Sequence, residues 1–199
     1  MKKNNYFSVL FAATCFALIV TSCTNSSQKS AEPNAAVKTV SLEDIVKRGE
    51  YLVTIMGCND CHSPKKMGPN GPEIIPELLL SGYPSDRPIV KFDDPRLKEG
   101  FGMFYPDLTA AAGPWGVSFA ANLTPDQSGI GTWTEEQFKR AIMQGKFKGI
   151  DGARTLLPPM PWFNFAALKD EDVSAIFAYL KSLKPVVNVV PQPIPPDQM

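Results

Sequence analysis

Cys58, Asn59, Asp60, Cys61 and His62 stand in a row as C-x-x-C-H, and how these five residues are read decides the fold. On a helical turn two cysteines three apart point the same way. Both thiols can then add to the two vinyl groups of one porphyrin, while the next imidazole faces its iron. This is the attachment sequence of a c-type haem, with thioethers at Cys58 and Cys61 and His62 as the proximal ligand. A zinc site fits less well: it needs about four nitrogen or sulfur ligands, and His62 is the only histidine among 199 residues. A thioredoxin-like pair opens a helix within alternating strands and helices, whereas the flanks here read as helix and loop.

Far upstream, Lys2 and Lys3 precede an apolar run from Tyr6 to Val20, which leads into Thr21, Ser22 and Cys23. A basic end, a short apolar centre and small residues at a cleavage site predict a secretory signal over 1–22, too short for a secure membrane span. Cys23 after that site resembles the lipobox of bacterial lipoproteins, so it is expected to carry lipid and hold the chain on the extracytoplasmic, periplasmic side of a membrane, the alternatives being an ordinary signal peptide cut near the same place or an uncleaved anchor. Residues 23–40 are rich in Ser, Asn, Gln, Ala and Lys without hydrophobic period and read as a flexible tether. The four cysteines are thereby accounted for: Cys15 leaves with the signal, Cys23 takes lipid, and Cys58 and Cys61 take haem. Removing Lys2 and Lys3 from the 20 basic residues leaves 18 against 20 acidic ones, a balance that suggests no nucleic-acid partner.

Residues 41–190 are one domain's worth of chain. Ser41 with Asp44 reads as a capping box and Val40 with Ile45 as its staple, opening a helix that carries Ile45, Leu52, Val53, Ile55 and Met56 into the haem motif. Pro64, Pro69, Pro72 and Pro76 then predict turns, with one helical turn at 78–80 and no sustained period from Gly82 to Gly116. Phe92, Phe101, Met103, Phe104 and Trp115 in that long stretch are candidates to cover the haem, or to form ordinary satellite packing. Thr134 with Gln137, stapled by Trp133 and Phe138, opens a second helix that Gly145 ends. A third begins near Asp170, buries Val173, Ile176, Phe177, Leu180 and Leu183, and carries Lys181 and Lys184 at its end. The Pro-rich tail, 191–199, reads as extended.

With His62 on the proximal side, a six-coordinate iron needs another side chain, most plausibly a methionine thioether. Met1 is removed, Met56 and Met143 lie in helices, Met199 is terminal, and Met67 is too near His62 to cross to the opposite face. Met103 and Met160 remain. Met160 is preferred, because Pro158, Pro159 and Pro161 stiffen its segment.

The C-x-x-C-H at a helix end, the late proline-flanked methionine and the final run Ile176, Phe177, Ala178, Tyr179, Leu180, Lys181 together resemble the class I, mitochondrial-type c-type cytochromes. Arg48 to Leu52, Asn122 to Asp126, Gly129 to Gly131 with Trp133, and Asp151 to Arg154 resemble in particular the haem domains of bacterial cytochrome subunits that serve membrane dehydrogenases for alcohols and sugar acids. The resemblance implies an all-α, class I cytochrome c fold, with helices around one covalent haem c and long irregular loops between them. By position it implies axial ligation by His62 and Met160, and Gly49 at the crossing of the first and last helices. Those subunits carry three haem motifs and this chain carries one.

An iron with both axial sites filled by protein has no place for substrate, so the expected function is single-electron transfer between a redox donor and a redox acceptor, with a dehydrogenase as one candidate. Thioether ligation and burial both push the potential upward. Arg154 is a candidate partner for a haem propionate, as an alternative to plain surface contacts, and Trp133 could donate its indole proton to the same group. Two alternatives use the same motif: a haem enzyme or gas sensor with a vacant sixth site, and a docking subunit of a dehydrogenase complex.

Overall fold

Ser41 caps the first helix through a reciprocal pair of bonds. Its hydroxyl accepts the Asp44 N–H at 3.1 Å, and the Asp44 carboxylate accepts the Ser41 N–H at 3.4 Å, which satisfies two of the amide donors a helix start leaves open. The computed structural model describes residues 40–89 and 91–199. The signal over 1–22, the lipid site at Cys23 and the tether up to residue 39 lie outside the described residues. The predicted staple does not form as expected: Val40 is 65% exposed, although Ile45 packs on the core.

Helix α1 (Leu42–Ile55) buries Gly49, Leu52 and Val53 against helix α5 (Asp170–Ser182), which offers Val173, Ala175, Ile176 and Leu180. The two cross at Gly49. A Cβ there would lie 2.7 Å from Tyr179 Cβ and overlap the Ala175 carbonyl, so only hydrogen lets the backbones come this close. An Arg48–Asp172 ion pair ties the same crossing. Helix α5 ends at Ser182, so Lys181 lies in its last turn and donates to the Gly131 carbonyl at 2.5 Å. Lys184, expected in that turn, lies beyond it.

Helix α3 (Glu135–Gln144) carries the predicted Thr134–Gln137 capping box and stops at Gly145, whose φ of 64° suits glycine. Its Phe138 ring meets Phe177 of α5 at 5.4 Å. Short helix α4 (Trp162–Phe165) adds Phe165 to the same core. Each Leu, Ile, Val or Phe buried here contributes about 1.5–3 kcal/mol relative to exposure.

The stretches expected to be irregular are partly strands. Lys65–Gly68 (β1) and Gly71–Ile74 (β2) pair antiparallel from Lys65↔Ile74 to Gly68↔Gly71. Pro72 is tolerated because alternate residues of a two-stranded ribbon turn their nitrogen away from the partner. The predicted turn at 78–80 begins slightly earlier, as a 3-10 turn over Pro76–Leu78.

Further on, Met103–Phe104 (β3), Ala110–Gly113 (β4) and Gly116–Phe119 (β5) form a three-stranded antiparallel sheet in that order. Alanine is a poor strand former, so Ala110, Ala111 and Ala112 gave no period, yet every residue of β4 is buried. The tail covers this sheet. Ile194 and Val117 exchange backbone hydrogen bonds of 2.8 and 3.0 Å, which pairs an edge that would otherwise present open donors and acceptors. The tail is thus tied to the domain at Ile194, while residues 195–199 remain exposed.

Two polar clusters hold the long connections. Asn188 is 6% exposed. It accepts from Ser85 N at 2.7 Å and donates to the Ser81 and Tyr83 carbonyls at 2.6 and 2.9 Å, satisfying backbone groups that a buried loop leaves without ladder partners. Arg87 meets Asp107 at 2.8 Å and Thr109 Oγ1 at 3.0 Å, its guanidinium stacked on the Tyr105 ring at 4.6 Å. Burial pushes the Asp107 carboxyl up. The bonds from Arg87 and Thr109 outweigh burial and hold it below its ordinary value.

Candidate functional site

Gly57 turns the chain out of α1. At φ 69° it occupies the left-handed region, so the next helix, α2 (Cys58–His62), leaves in a new direction while staying covalently close to the core. Cys58, Cys61 and His62 then line one wall of a cavity of about 480 Å³. That volume lies in the range of cofactor pockets, roughly 300–1,000 Å³. Helices α1, α3 and α5 supply Val53, Phe138, Ile142, Ile176 and Leu180, and the three-stranded sheet supplies Phe104, Ala110, Ala111, Ser118 and Phe119.

His62 is held by one bond. Its Nδ1 lies 2.8 Å from the Ala121 carbonyl oxygen; a carbonyl only accepts, so Nδ1 carries the proton and Nε2 keeps its lone pair. Burial pushes the imidazole pKa down, the Ala121 bond opposes this, and the Lys65 cation adds to the lowering. The ring is thereby kept neutral, the form that binds a metal.

The thiols are not those of a redox pair. Burial pushes Cys58 up to about 11, and pushes Cys61 up as well, with the Asp60 carboxylate acting in the same direction. A reactive thiolate would need the reverse. Among the described residues no three His, Cys, Asp or Glu side chains converge as a metal site.

Of the methionines, Met160 and Met56 line the cavity and Met103 does not. Met103 packs with Leu97, Ala112 and Val117 in a separate small core. Met56, expected in helix packing, caps α1 two residues before Cys58. The Met160 segment is held from outside: Ser118 Oγ donates to the Pro158 carbonyl at 2.6 Å, and Leu156 N to the Gly145 carbonyl at 2.7 Å. A cis bond joins Pro158 and Pro159. The Trp162 ring lies directly on Gly145, where a Cβ would fall 2.8 Å from Trp162 Cγ.

Arg154 and Trp133 both line the cavity. Arg154 stacks on Phe147 at 4.0 Å and donates to the Thr155 carbonyl at 3.0 Å, and burial lowers its pKa. Of the five residues expected to cover the haem, Phe104 alone lines the cavity. Phe92 packs in the small core with Met103, Phe101 is 59% exposed, and the Trp115 indole donates to Ser118 Oγ at 3.3 Å. Leu108, which lines the cavity and is 37% exposed, carried no sequence signal; nor did Ala121, because any residue can lend a carbonyl.

These features suit a covalently held porphyrin: apolar walls, two thiols and an imidazole with a free nitrogen on one helix, and a thioether and a guanidinium on the rim. The family model of cytochrome c matches residues 46–184. The fructose dehydrogenase cytochrome subunit of Gluconobacter japonicus is 28% identical over 183 residues, 91% of this chain and 29% of that protein. The gluconate 2-dehydrogenase cytochrome c subunit of Pantoea cypripedii is 31% identical over 136 residues, 68% of this chain and 22% of that protein. The cytochrome c subunit of the quinone alcohol dehydrogenase of Gluconobacter oxydans is 31% identical over 146 residues, 72% of this chain and 23% of that protein. The chain therefore spans about a quarter of the length of the relatives it matches.

Proposed function

The chain belongs to the cytochrome c family, with its covalent haem c, and from this we propose that it is a monohaem electron carrier of class I fold, lipid-anchored at Cys23 in a bacterial envelope, accepting electrons from a dehydrogenase. The haem supplies one-electron exchange at its iron. Cys58 and Cys61 would hold the porphyrin by thioethers, with His62 Nε2 and the Met160 thioether as the two side-chain ligands offered to its iron. Arg154 pairs with a propionate, and Trp133 donates its indole proton to the same group. The observation that carries this reading is that Cys58, Cys61, His62 and Met160 all line one apolar cavity.

Each group then has a task. The Ala121 carbonyl engages the Nδ1 proton of His62 and leaves the Nε2 lone pair for the iron. Phe138, Ile142, Phe165 and Leu180 exclude water, which lowers the local dielectric and disfavours the more highly charged oxidised state. Phe104 and Leu108, lining the cavity yet exposed, sit where an electron can cross to a partner. A dehydrogenase donor is favoured by the three relatives named above, each a dehydrogenase subunit.

The full-length protein, matured with haem and denatured, is expected to have the mass of one covalent porphyrin per chain, lost when Cys58 and Cys61 are both replaced by alanine. Reduced, it is expected to refuse carbon monoxide; ready binding of that gas would assign the vacant-site alternative instead. For the anchor, fatty-acid labelling in cells should mark the wild type and not Cys23→Ala. Label on the variant would rule Cys23 out. Among the described residues no helix is long and apolar enough to cross a membrane.

A further inference from the structure

Lys65 lies three residues past His62, at the start of β1, and its ammonium sits among four backbone carbonyls. Nζ donates to Asp60 O at 2.7 Å, Ser63 O at 2.9 Å, Asp107 O at 3.1 Å and Asn59 O at 3.2 Å. Three of these acceptors lie at the C-terminal end of α2, where the Asn59 carbonyl also accepts the Ser63 N–H and a cation meets the negative end of the helix dipole. The fourth belongs to the chain just before β4. One side chain thus joins the attachment helix to the sheet that supplies another wall of the cavity.

The charge is fixed as well as the geometry. Lys65 is half-buried and pairs with no carboxylate among the described residues. Nearby Asp107 is engaged by Arg87 at 2.8 Å, and Asp60 is exposed, where solvent screens it. Neutral carbonyls orient an ammonium without cancelling its charge.

We propose that Lys65 is a positioning residue of this site that locks the end of the attachment helix against the sheet and, as a fixed cation, biases the iron toward its reduced state. The proposal rests on the ligation by His62 and Met160 proposed above. The cation opposes the extra positive charge of the oxidised state.

The test compares Lys65→Met, which keeps length and loses charge, with Lys65→Arg, which keeps charge, by spectroelectrochemistry on full-length holoprotein. Lys65→Met is expected to shift the reduced-to-oxidised ratio about tenfold at fixed ambient potential, a fall of about 59 mV for a one-electron couple. Lys65→Arg should retain most of the potential. An unchanged potential in Lys65→Met, or an equal fall in both variants, overturns the proposal, since a purely structural tie would not follow charge. Should the methionine variant fail to mature, the wild type still decides. Its Lys65 ammonium protons should exchange slowly with water in nuclear magnetic resonance, and fast exchange would overturn the lock. Failure of the underlying ligation would show differently, as carbon monoxide binding by the wild type or a missing sulfur-to-iron band.

Discussion

Met160→Ala is expected to abolish the weak sulfur-to-iron charge-transfer band of the oxidised protein, to open the reduced protein to carbon monoxide, and to lower the potential. The fall should be on the order of 0.1 V, a share of the roughly 0.8 V over which axial ligands move haem potentials. Fold stability should change far less than the spectrum, because Met160 is half-buried at the cavity rim and adds only part of a side chain to the core. Its segment is held by other contacts, the Ser118–Pro158 bond and the Trp162 ring on Gly145. An alanine there therefore leaves the segment in place and removes only the sulfur. Survival of the band would move the ligand to Met56, the other methionine on the cavity wall, and Met56→Ala would then remove it.

Gly49→Ala is expected to cost about 2 kcal/mol despite placing a better helix former in α1. Alanine gains about 1 kcal/mol of helix propensity over glycine. Against this stands a methyl that overlaps the Ala175 carbonyl and lies 2.7 Å from Tyr179 Cβ. Both are rigid parts of α5, so the helices must separate, and an overlap this close lies at the upper end of the roughly 1–3 kcal/mol that overpacking costs, which leaves a net loss of about 2 kcal/mol. The loss reaches the site directly, since α1 runs through Gly57 into Cys58 and shares Val53 with the cavity wall. Urea unfolding of the holoprotein should show a lower midpoint with unchanged slope, while Glu50→Ala on the exposed face should move it little. A midpoint equal to wild type would mean that the crossing is looser than described.

Local chemistry made the helices legible. Ser41 with Asp44, Thr134 with Gln137 and Gly145 are signals carried within four residues, and each does what its spacing predicts. The apolar stripes of α3 and α5 followed from the helical period. The two sheets were not legible, because a strand is stabilised by its partner and not by itself. Ala110 to Gly113 lacks β-branched or aromatic residues and becomes a strand through pairing on both sides and complete burial. The choice between haem cover and satellite packing stayed open for a related reason. Phe92, Phe101, Phe104 and Trp115 look alike as sequence, and only the turn of the chain around Asp107 decides that Phe104 reaches the cavity and the others do not.

By itself the sequence determined the cofactor chemistry, since Cys58, Cys61 and His62 are neighbours whose spacing alone aims two thiols and an imidazole at one porphyrin. The tertiary structure alone decided what surrounds them: the Ala121 carbonyl 59 residues away that sets the His62 tautomer, the Lys65 ammonium among carbonyls from both sides of the site, and the packing of Met103 into a separate small core away from the cavity wall. Backbone carbonyls have no residue signature, and contacts between distant segments exist only once the chain has closed on itself, so no reading of neighbours along the chain could have supplied them.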